Sequence, residues 1–292
     1  MSSLRIATCR PLPEPDPDEA LLLQACHEAG IEAQMVAWHD PTLWRMDHPQ
    51  HHVPVLIRST WDYIHRLKDF ERWLQTVSDQ APLWNPWSVI RDNLHKRYLL
   101  SLAERGVSVI PTLLAAQGST ESLIDKVEVS GWRDVVIKPA VGAGSFDTHR
   151  LSPGNPAAEA QWRQSVAARD MLIQPYLSSV DDEGERALVW IDGEFTHAVR
   201  KSPRFATDTE HVSAALSISL AERSLGEAAL KAAIPADDAG ATLLYARVDV
   251  ARDAEGEWRV MELELIEPSL FLAQHPPALK RLVSALQQRL AG

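Results

Sequence analysis

Three acidic residues near the C-terminus have a spacing that could build a cation site. Asp249 lies in one run of alternating apolar residues, and Glu262 and Glu264 lie two positions apart in the next run. Because side chains alternate across a strand, Glu262 and Glu264 share a face, and a hairpin turn at residues 254–256 makes Asp249 face the same way. Mg²⁺ prefers oxygen ligands, so we predict a magnesium site, with Mn²⁺ as the alternative ion. A hydrated acidic sheet edge is the competing interpretation.

A glycine-rich segment follows another predicted strand, VVIKP. Lys138 ends that strand, and Gly142, Gly144 and Ser145 come directly after it. Glycines allow backbone N–H groups to approach a phosphate, and a lysine adds a positive charge beside them. The pattern is neither a P-loop nor a dinucleotide fingerprint, so a simple turn is the alternative.

The N-terminal third must supply a scaffold for these residues. It contains the predicted strands LRIATC, IEAQMVAW and VPVLIRS, and a predicted helix at residues 68–79. A further helix, EALLLQACHEAG, is expected to begin with Asp18 as its N-cap and to end at Gly30. This alternation predicts an open α/β layer.

The remaining chain is richer in strands. RDNLHKRYLLSLAERG predicts one helix, and VSVIPT, DVVIKP and MLIQPYL predict strands. Asp192 and Gly193 predict the turn of a β-hairpin, residues 245–268 predict a second hairpin, and PALKRLVSALQQRL predicts a closing helix. The fold class is therefore α/β followed by α+β.

The order of these features resembles the ATP-grasp superfamily from about Asn85 to Leu272, nearest to bacterial glutathione synthetase and the ribosomal-protein glutamate ligases. The resemblance implies an ATP-grasp fold of three subdomains, with ATP held between the central and C-terminal ones. We expect an N-terminal α/β substrate-side domain at 1–86. A central domain at 87–174 would carry the lysines that bind the nucleotide and a glycine-rich lid. A C-terminal domain at 175–292 would carry the metal site.

The resemblance also implies roles for single residues. Lys96 and Lys138 would contact the ATP phosphates, and the loop at 142–146 would close over them. Glu185 would hold the ribose. The residues expected to meet adenine through a hinge strand are Gln174, Pro175, Tyr176 and Leu177. The basic residues expected near the transferred phosphoryl group are Arg200, Lys201 and Arg204.

The C-terminal motif departs from the family pattern at one position. The family has Glu-x-Asn here, whereas this chain has Glu262 followed by Glu264, which keeps an oxygen ligand and adds a negative charge. Arg247 lies two positions before Asp249 and therefore shares its strand face, where it could neutralise phosphate.

Substrate contacts are expected from the loops that follow the N-terminal strands. The candidates in these loops are Cys9, Arg10, Arg58, Ser59 and Asp62. Arg58 could bind a substrate carboxylate through two hydrogen bonds. Structural hydrogen bonding at a cleft between domains is the alternative role.

The resemblance implies an ATP-dependent carboxylate–amine ligase that works through an acyl phosphate. Within the family, the segments CRPLPEPDPDE, RSTWDY and MELELIEPSLF are similar to the ligase that closes O-ureidoserine to cycloserine, so ring closure is the specific prediction. The alternatives are an intermolecular amino-acid or peptide ligase, a small-molecule kinase, and a regulatory protein with a degenerate nucleotide site.

The amino-acid composition limits the classes of partner and the cellular location that we expect. With 29 basic and 40 acidic residues the net charge is −11, which argues against a nucleic-acid partner. No apolar run approaches the roughly 20 residues of a membrane span. Two cysteines are too few for a disulfide framework, so we expect a cytoplasmic protein. Its partners would be ATP and a small carboxylate or amine substrate, and relatives suggest a homodimer or homotetramer.

Overall fold

The computed structural model describes residues 2–45, 47–202 and 211–291. The N-terminal unit is a parallel sheet with strand order β2-β1-β3-β4, covered by two helices. Its strands are β1 (Ser2–Thr8), β2 (Ile31–Ala37), β3 (Val55–Ile57) and β4 (Leu83–Trp84), and its helices are α1 (Glu19–Glu28) and α2 (Leu67–Ser78). The predicted open α/β layer is confirmed.

The central unit is an antiparallel sheet with strand order β5-β8-β6-β7. Its strands are β5 (Leu113–Ala115), β6 (Val135–Pro139), β7 (His149–Leu151) and β8 (Met171–Pro175). The helices before and within it are α3 (Trp87–Asn93), α4 (Tyr98–Glu104), α5 (Leu123–Val127) and α6 (Pro156–Ala168). The glycine-rich loop leaves the end of β6.

The third unit is an antiparallel sheet with strand order β10-β9-β11-β12. Its strands are β9 (Glu185–Ile191), β10 (Glu194–Lys201), β11 (Tyr245–Arg252) and β12 (Trp258–Glu264), and its helices are α7 (Ser179–Asp182), α8 (Leu220–Ala233) and α9 (Pro276–Ala291). Both predicted hairpins are present, and Asp192 and Gly193 have the positive φ values of 43° and 93° that their tight turn requires.

The sheets occupy residues 2–84, 113–175 and 185–264, while the predicted domain boundaries stay predictions. The first and third units share one apolar core, which includes Leu22 of α1 and Leu282 of α9. No helix within the described ranges has the length and apolar character that crossing a membrane requires.

The predicted single helix at residues 91–106 is wrong, because a turn at residues 94–97 separates α3 from α4. The Asn93 amide donates to Leu263 O at 2.9 Å and accepts from Leu265 N at 3.0 Å, which ties the end of α3 to β12. In the turn, Lys96 N–H donates to Ala140 O at 2.7 Å. These long-range bonds replace helical ones and aim Lys96 at the glycine-rich loop.

Two further local predictions are wrong. VSVIPT is not a strand, since its ladder contact is a single bridge between Val109 and Val260. Asp18 precedes α1 but forms no side-chain cap, because its Oδ1 accepts instead from Leu272 N–H at 2.9 Å. In both places a contact with the third unit replaces the local structure.

Residues 266–269, which follow β12, form what we call the anchored segment. Each of its four backbone carbonyls lies within hydrogen-bond distance of a side-chain donor. The pairs are Tyr245 Oη with Ile266 O (2.6 Å), Trp61 Nε1 with Glu267 O (3.0 Å), Arg58 Nη1 with Pro268 O (2.8 Å) and Arg247 Nη1 with Ser269 O (3.4 Å). The Tyr245 hydroxyl also lies 2.8 Å from Ile57 O at the end of β3. The first and third units are therefore joined at this segment.

Replacement of Tyr245 by phenylalanine should lower the free energy of unfolding by about 1–3 kcal/mol, because buried carbonyls lose their donor. Urea denaturation measures this change. Tyr176→Phe is the matched control, since the Tyr176 hydroxyl contacts exposed Asp181 and water can replace it. Equal effects of the two substitutions would contradict the buried role of the Tyr245 hydroxyl.

Candidate active site

Two cavities meet in the cleft between the units. The larger, of about 580 Å³, lies between the N-terminal loops and the end of β12, and the smaller, of about 360 Å³, lies between the central and third sheets. We call the residues that line both cavities the shared wall. Its charged members are Lys96, Arg247, Glu262 and Glu264, and residues 142–144 and Phe146 of the glycine-rich loop complete it. A group that moves from one cavity to the other must pass these charges.

The smaller cavity contains most of the residues predicted for nucleotide binding. Those that line it are Lys96, Lys138, Gly142, Gly144, Ser145, Gln174, Pro175, Tyr176, Leu177, Glu185, Lys201, Arg247, Asp249, Glu262 and Glu264. They come from six different strands and from three loops or turns. The fold thus collects residues that are spread over some 170 positions of sequence into one pocket, while their individual roles stay predictions.

The basic residues at the end of β10 lie on two opposite faces of the strand. Lys201 is buried and lines the smaller cavity, whereas its neighbour Arg200 is exposed on the opposite side of the strand. The backbone of Arg200 bonds Ser213 in the adjoining segment. Arg204, also predicted for this cluster, lies outside the described residues.

The hairpin register explains the charges of the shared wall. Asp249 pairs with Glu262 and Arg247 pairs with Glu264 across β11 and β12, so all four side chains lie close together. Arg247 binds both Asp249 oxygens at 2.8 Å and also contacts Glu264. The predicted convergence of the three carboxylates on one face follows from this register.

Lysines from other elements complete the charge balance. Lys201 lies 2.6 Å from Asp249 and 2.9 Å from Glu185. Lys96 and Lys138 lie 2.9 Å and 3.4 Å from the two oxygens of Glu262. Repulsion between the carboxylates is therefore balanced by lysine and arginine side chains, not only by a metal ion as the sequence suggested.

The paired cations divide the carboxyl groups into two classes. Burial opposes ionisation of Asp249 and Glu262, but their basic neighbours outweigh it and lower both pKa values, that of Glu262 to about 2. Burial together with the charge of Asp249 raises the pKa of Glu185 and of Glu264, although Lys201 and Arg247 act against this. The site thus combines firmly ionised carboxylates with others that hold a proton more readily.

Carboxylate oxygens are the donors that Mg²⁺ prefers, so the donor chemistry of Asp249, Glu262 and Glu264 fits this ion. Glu262 and Glu264 face the cavities, with side chains 23% and 27% exposed, whereas both Asp249 oxygens are held by basic groups. In the chain as described, no group of three or more acidic, histidine or cysteine side chains is arranged to hold a metal. Metal binding here requires that lysine or arginine exchange partners.

The residues predicted to contact substrate are placed differently. Asp62 lines the larger cavity, where it accepts from Trp38 Nε1 at 2.6 Å. Arg10 is turned outward and pairs with Glu19 at 2.9 Å. Neither Arg10 nor Arg58 is among the residues that line the larger cavity.

The remaining three candidates are buried. The Ser59 hydroxyl lies 2.8 Å from the Thr8 hydroxyl, and Cys9 is a buried free thiol. Arg58 supports the anchored segment through Pro268 O. Structural hydrogen bonding, the alternative considered for Arg58, describes its contacts, while substrate roles for these residues stay predictions.

Sequence reasoning missed several residues of the larger cavity. Tyr63 and His65 follow Asp62 on a single 3-10 turn, and Glu267 lies three positions beyond Glu264. His65 makes an edge-to-face contact with Phe146 of the glycine-rich loop, with ring centroids 5.3 Å apart. These residues lie close in sequence to predicted site residues, which was the only signal that could have identified them. The alternation of side chains along a strand does not predict which way side chains point in irregular segments.

Known proteins match this arrangement over nearly the whole chain. Residues 4–85 match the family model described as the N-terminal domain of D-cycloserine synthetase DcsG. The cycloserine biosynthesis protein DcsG of Streptomyces lavendulae is 34% identical over 290 residues, covering 94% of each chain. The chain belongs to the DcsG family.

Solved structures agree with this assignment to the DcsG family. The crystal structure of D-cycloserine synthetase DcsG superposes with a TM-score of 0.84 at 31% identity, over 99% of this chain and 100% of that chain. The ATP-grasp ligase PsnB, in complex with a minimal precursor, Mg and ADP, gives 0.65 at 16% identity, over 99% and 98%. The predicted ATP-grasp fold and the predicted ligase class are confirmed.

Replacement of Asp249 by asparagine should lower the free energy of unfolding by about 3 kcal/mol, because Lys201 and Arg247 remain buried without their full counter-charge. Chemical denaturation measures this effect. Asp47→Asn is the matched control, since Asp47 also pairs with an arginine, at 2.6 Å, but is exposed. We expect no measurable change from the control, and an Asp249 variant as stable as the native protein would contradict this account.

Proposed function

We propose that this enzyme uses ATP to close an O-ureido-substituted serine into the cycloserine ring. The observation that carries the proposal is the junction of the two cavities at a wall of paired lysine, arginine and carboxylate groups. Nucleotide in the smaller cavity and an amino acid in the larger one would meet at this wall. The family relationship to DcsG, named for cycloserine synthesis, supplies the substrate class.

ATP would bind in the smaller cavity, whose lining includes three lysines and the glycine-rich loop. Residues 174–177 comprise the end of β8 and the two residues after it, where the predicted hinge would meet adenine, and Glu185, which lines the same cavity, would hold the ribose. Lys96 and Lys138 would bind phosphate oxygens, and Lys96 Nζ already donates to Gly142 O of the loop at 2.5 Å. This bond brings the lysine beside the loop, which supports the proposal that both would bind the same phosphate group.

Asp249, Glu262 and Glu264 would hold magnesium, with manganese as the alternative ion. When bound, the ion would neutralise phosphate charge and polarise the phosphoryl group. Lys201 and Arg247, once displaced from Asp249 by the ion, would bind the nucleotide phosphates. Glu264, where the family pattern has asparagine, keeps Arg247 beside the site.

The reaction would begin with transfer of the γ-phosphoryl group to an oxygen of the substrate carboxylate, which forms an acyl phosphate and ADP. The ureido nitrogen next to oxygen then attacks the acyl carbon, so a C–N bond forms as the C–O bond to phosphate breaks. The departing phosphate can take the nitrogen's proton. Water removes the carbamoyl group, which ends as carbon dioxide and ammonia.

This chain's residues act mainly by position and charge. Lys96, Lys138 and Arg247 would stabilise the moving phosphoryl group, and no protein nucleophile is required. The loop at 142–146, which contacts His65 across the larger cavity through Phe146, would exclude water from the acyl phosphate. Both cysteines are free thiols, in keeping with the cytoplasmic location that we expect.

One observation favours a second candidate function. At about 580 Å³, the larger cavity exceeds what one small amino acid needs, so it could also admit a separate amine. An intermolecular amino-acid or peptide ligase would use the same phosphoryl transfer. Only the source of the attacking nitrogen differs.

The test is to incubate the enzyme with ATP, Mg²⁺ and O-ureidoserine and to quantify ADP, phosphate and product by mass spectrometry. We expect one ADP and one phosphate for each cycloserine, loss of turnover with EDTA, and recovery with added Mg²⁺ or Mn²⁺. ADP without phosphate would indicate a kinase. Turnover only with an added amine would indicate the intermolecular ligase, and tight ATP binding without any turnover a regulatory protein.

Replacement of Lys138 by alanine should weaken Mg-ATP binding by about 10- to 100-fold, since a charge-assisted contact of about 1.5–3 kcal/mol is lost. Calorimetric titration measures the Kd. Lys126→Ala is the matched control, because Lys126 pairs with Glu121 in the same unit and is not among the residues that line the two cavities. Equal Kd values for the native protein and the Lys138 variant would refute the phosphate role.

A further inference from the structure

The larger cavity carries more acidic side chains than phosphate chemistry needs. The acidic residues that line it are Glu14, Asp62, Glu262, Glu264 and Glu267. Three of them have basic partners already, since Asp62 binds Arg66 at 3.0 Å, Glu262 binds two lysines and Glu264 binds Arg247. Glu14 makes an interaction of its own. Within the described ranges, Glu267 has no salt-bridge partner.

Glu267 is nevertheless held rigidly. Its own carbonyl accepts from Trp61 Nε1 at 3.0 Å, and the carbonyls on either side of it are bonded to Tyr245 and Arg58, so its backbone cannot turn away from the cavity. Buried Tyr63 lines the same cavity, and its hydroxyl acts to lower the pKa of the Glu267 carboxyl group. Such fixed placement is typical of a group that meets a ligand.

The Glu267 carboxyl group lacks a counter-charge in its surroundings. Burial raises its pKa to about 7, even though the Tyr63 hydroxyl and the charge of Lys96 both act to lower it. A buried carboxylate without a cation is costly, and a positively charged ligand would remove that cost. Hence the local chemistry matches a small cation rather than an anion or an apolar group.

The position of Glu267 relative to the shared wall indicates which positively charged group of a substrate it would meet. Three residues separate it from Glu264, so its Cα lies no more than about 10 Å away. Lys96 of the wall is near enough to act on its carboxyl group. A substrate whose carboxylate lies at the wall would therefore present its α-carbon substituent toward Glu267.

We propose that Glu267 binds the α-ammonium group of the amino-acid substrate and that Tyr63 positions the Glu267 carboxylate for this contact. The inference rests on the proposed function and deepens it. The contact between Glu267 and the ammonium group would make the larger cavity selective for α-amino acids over hydroxy acids and unsubstituted acids of the same length. Loss of the ammonium would leave a buried carboxylate without its partner, which is a strong basis for rejection.

The experiment compares O-ureidoserine with its des-amino analogue, 3-(ureidooxy)propionic acid, in the native enzyme and in Glu267→Gln. The native enzyme should prefer the amino acid by about 100-fold or more in kcat/KM. In the variant this preference should fall to less than about ten-fold, because the amino acid loses its partner while the analogue does not. Calorimetric binding of both compounds should show the same change without turnover.

Two further variants separate ammonium binding from a structural effect. Glu255→Gln, on an exposed hairpin turn, should leave the preference unchanged. Tyr63→Phe should reduce the preference partly, because the carboxylate remains but is less firmly oriented. Thermal unfolding of each variant identifies a folding defect, and the ratio between two substrates in one folded variant is insensitive to the amount of active protein.

Several outcomes would overturn the inference. A native enzyme that uses both compounds equally would refute it while leaving the proposed ring closure intact. A Glu267→Gln variant that loses kcat equally for both compounds, with unchanged binding, would assign Glu267 to proton transfer instead. If the native enzyme releases no ADP with either compound, the proposed function fails, and the inference fails with it.

Discussion

The buried carboxylates of the β11–β12 hairpin impose the constraint on which the rest of the structure depends. Ionised groups are stable in this interior only with nearby counter-charges, and these come from separate parts of the chain. Lys96 belongs to the turn after α3, Lys138 to β6, and Lys201 to β10. The central and third sheets must therefore be placed correctly relative to one another before the hairpin charges are neutralised.

The same ion pairs that stabilise the cleft also prepare it for a charged nucleotide. Four carboxylates and four basic side chains lie together, so binding of phosphate and a divalent ion would exchange partners within an existing network. Such an exchange avoids exposing isolated charges to a low-dielectric interior. In the proposed mechanism, structural stability and phosphoryl chemistry would use one set of residues.

The anchored segment serves a second purpose, on the substrate side. Side chains from the loop after β3 and from β11 bond its four carbonyls, so it links the N-terminal unit to the third sheet. Arg58, for which a substrate contact was expected, contributes here through Pro268 O. A buried arginine can support a binding site by holding a backbone segment in place. Residue type and sequence position alone do not distinguish this role from direct contact with a ligand.

Patterns with a short physical range were predictable from the sequence. Period-2 alternation and the turn residues predicted both hairpins, and the glycines after Lys138 predicted a loop at the end of β6. The ordered series of motifs identified the ATP-grasp fold. These features depend on neighbours within a few residues, so the sequence alone specifies them.

Only the tertiary structure decided how the charges are paired and which side chains line the cleft. Asn93 interrupts a helix that local propensity favours, because bonds to β12 replace helical ones. The Asp18 side chain accepts from Leu272 N–H and does not cap α1. Glu267 lines the larger cavity beside Tyr63, and Trp61 donates to its carbonyl. Each outcome depends on a partner that is far away in sequence. Packing of the units decides whether the bond to that partner or the local structure forms.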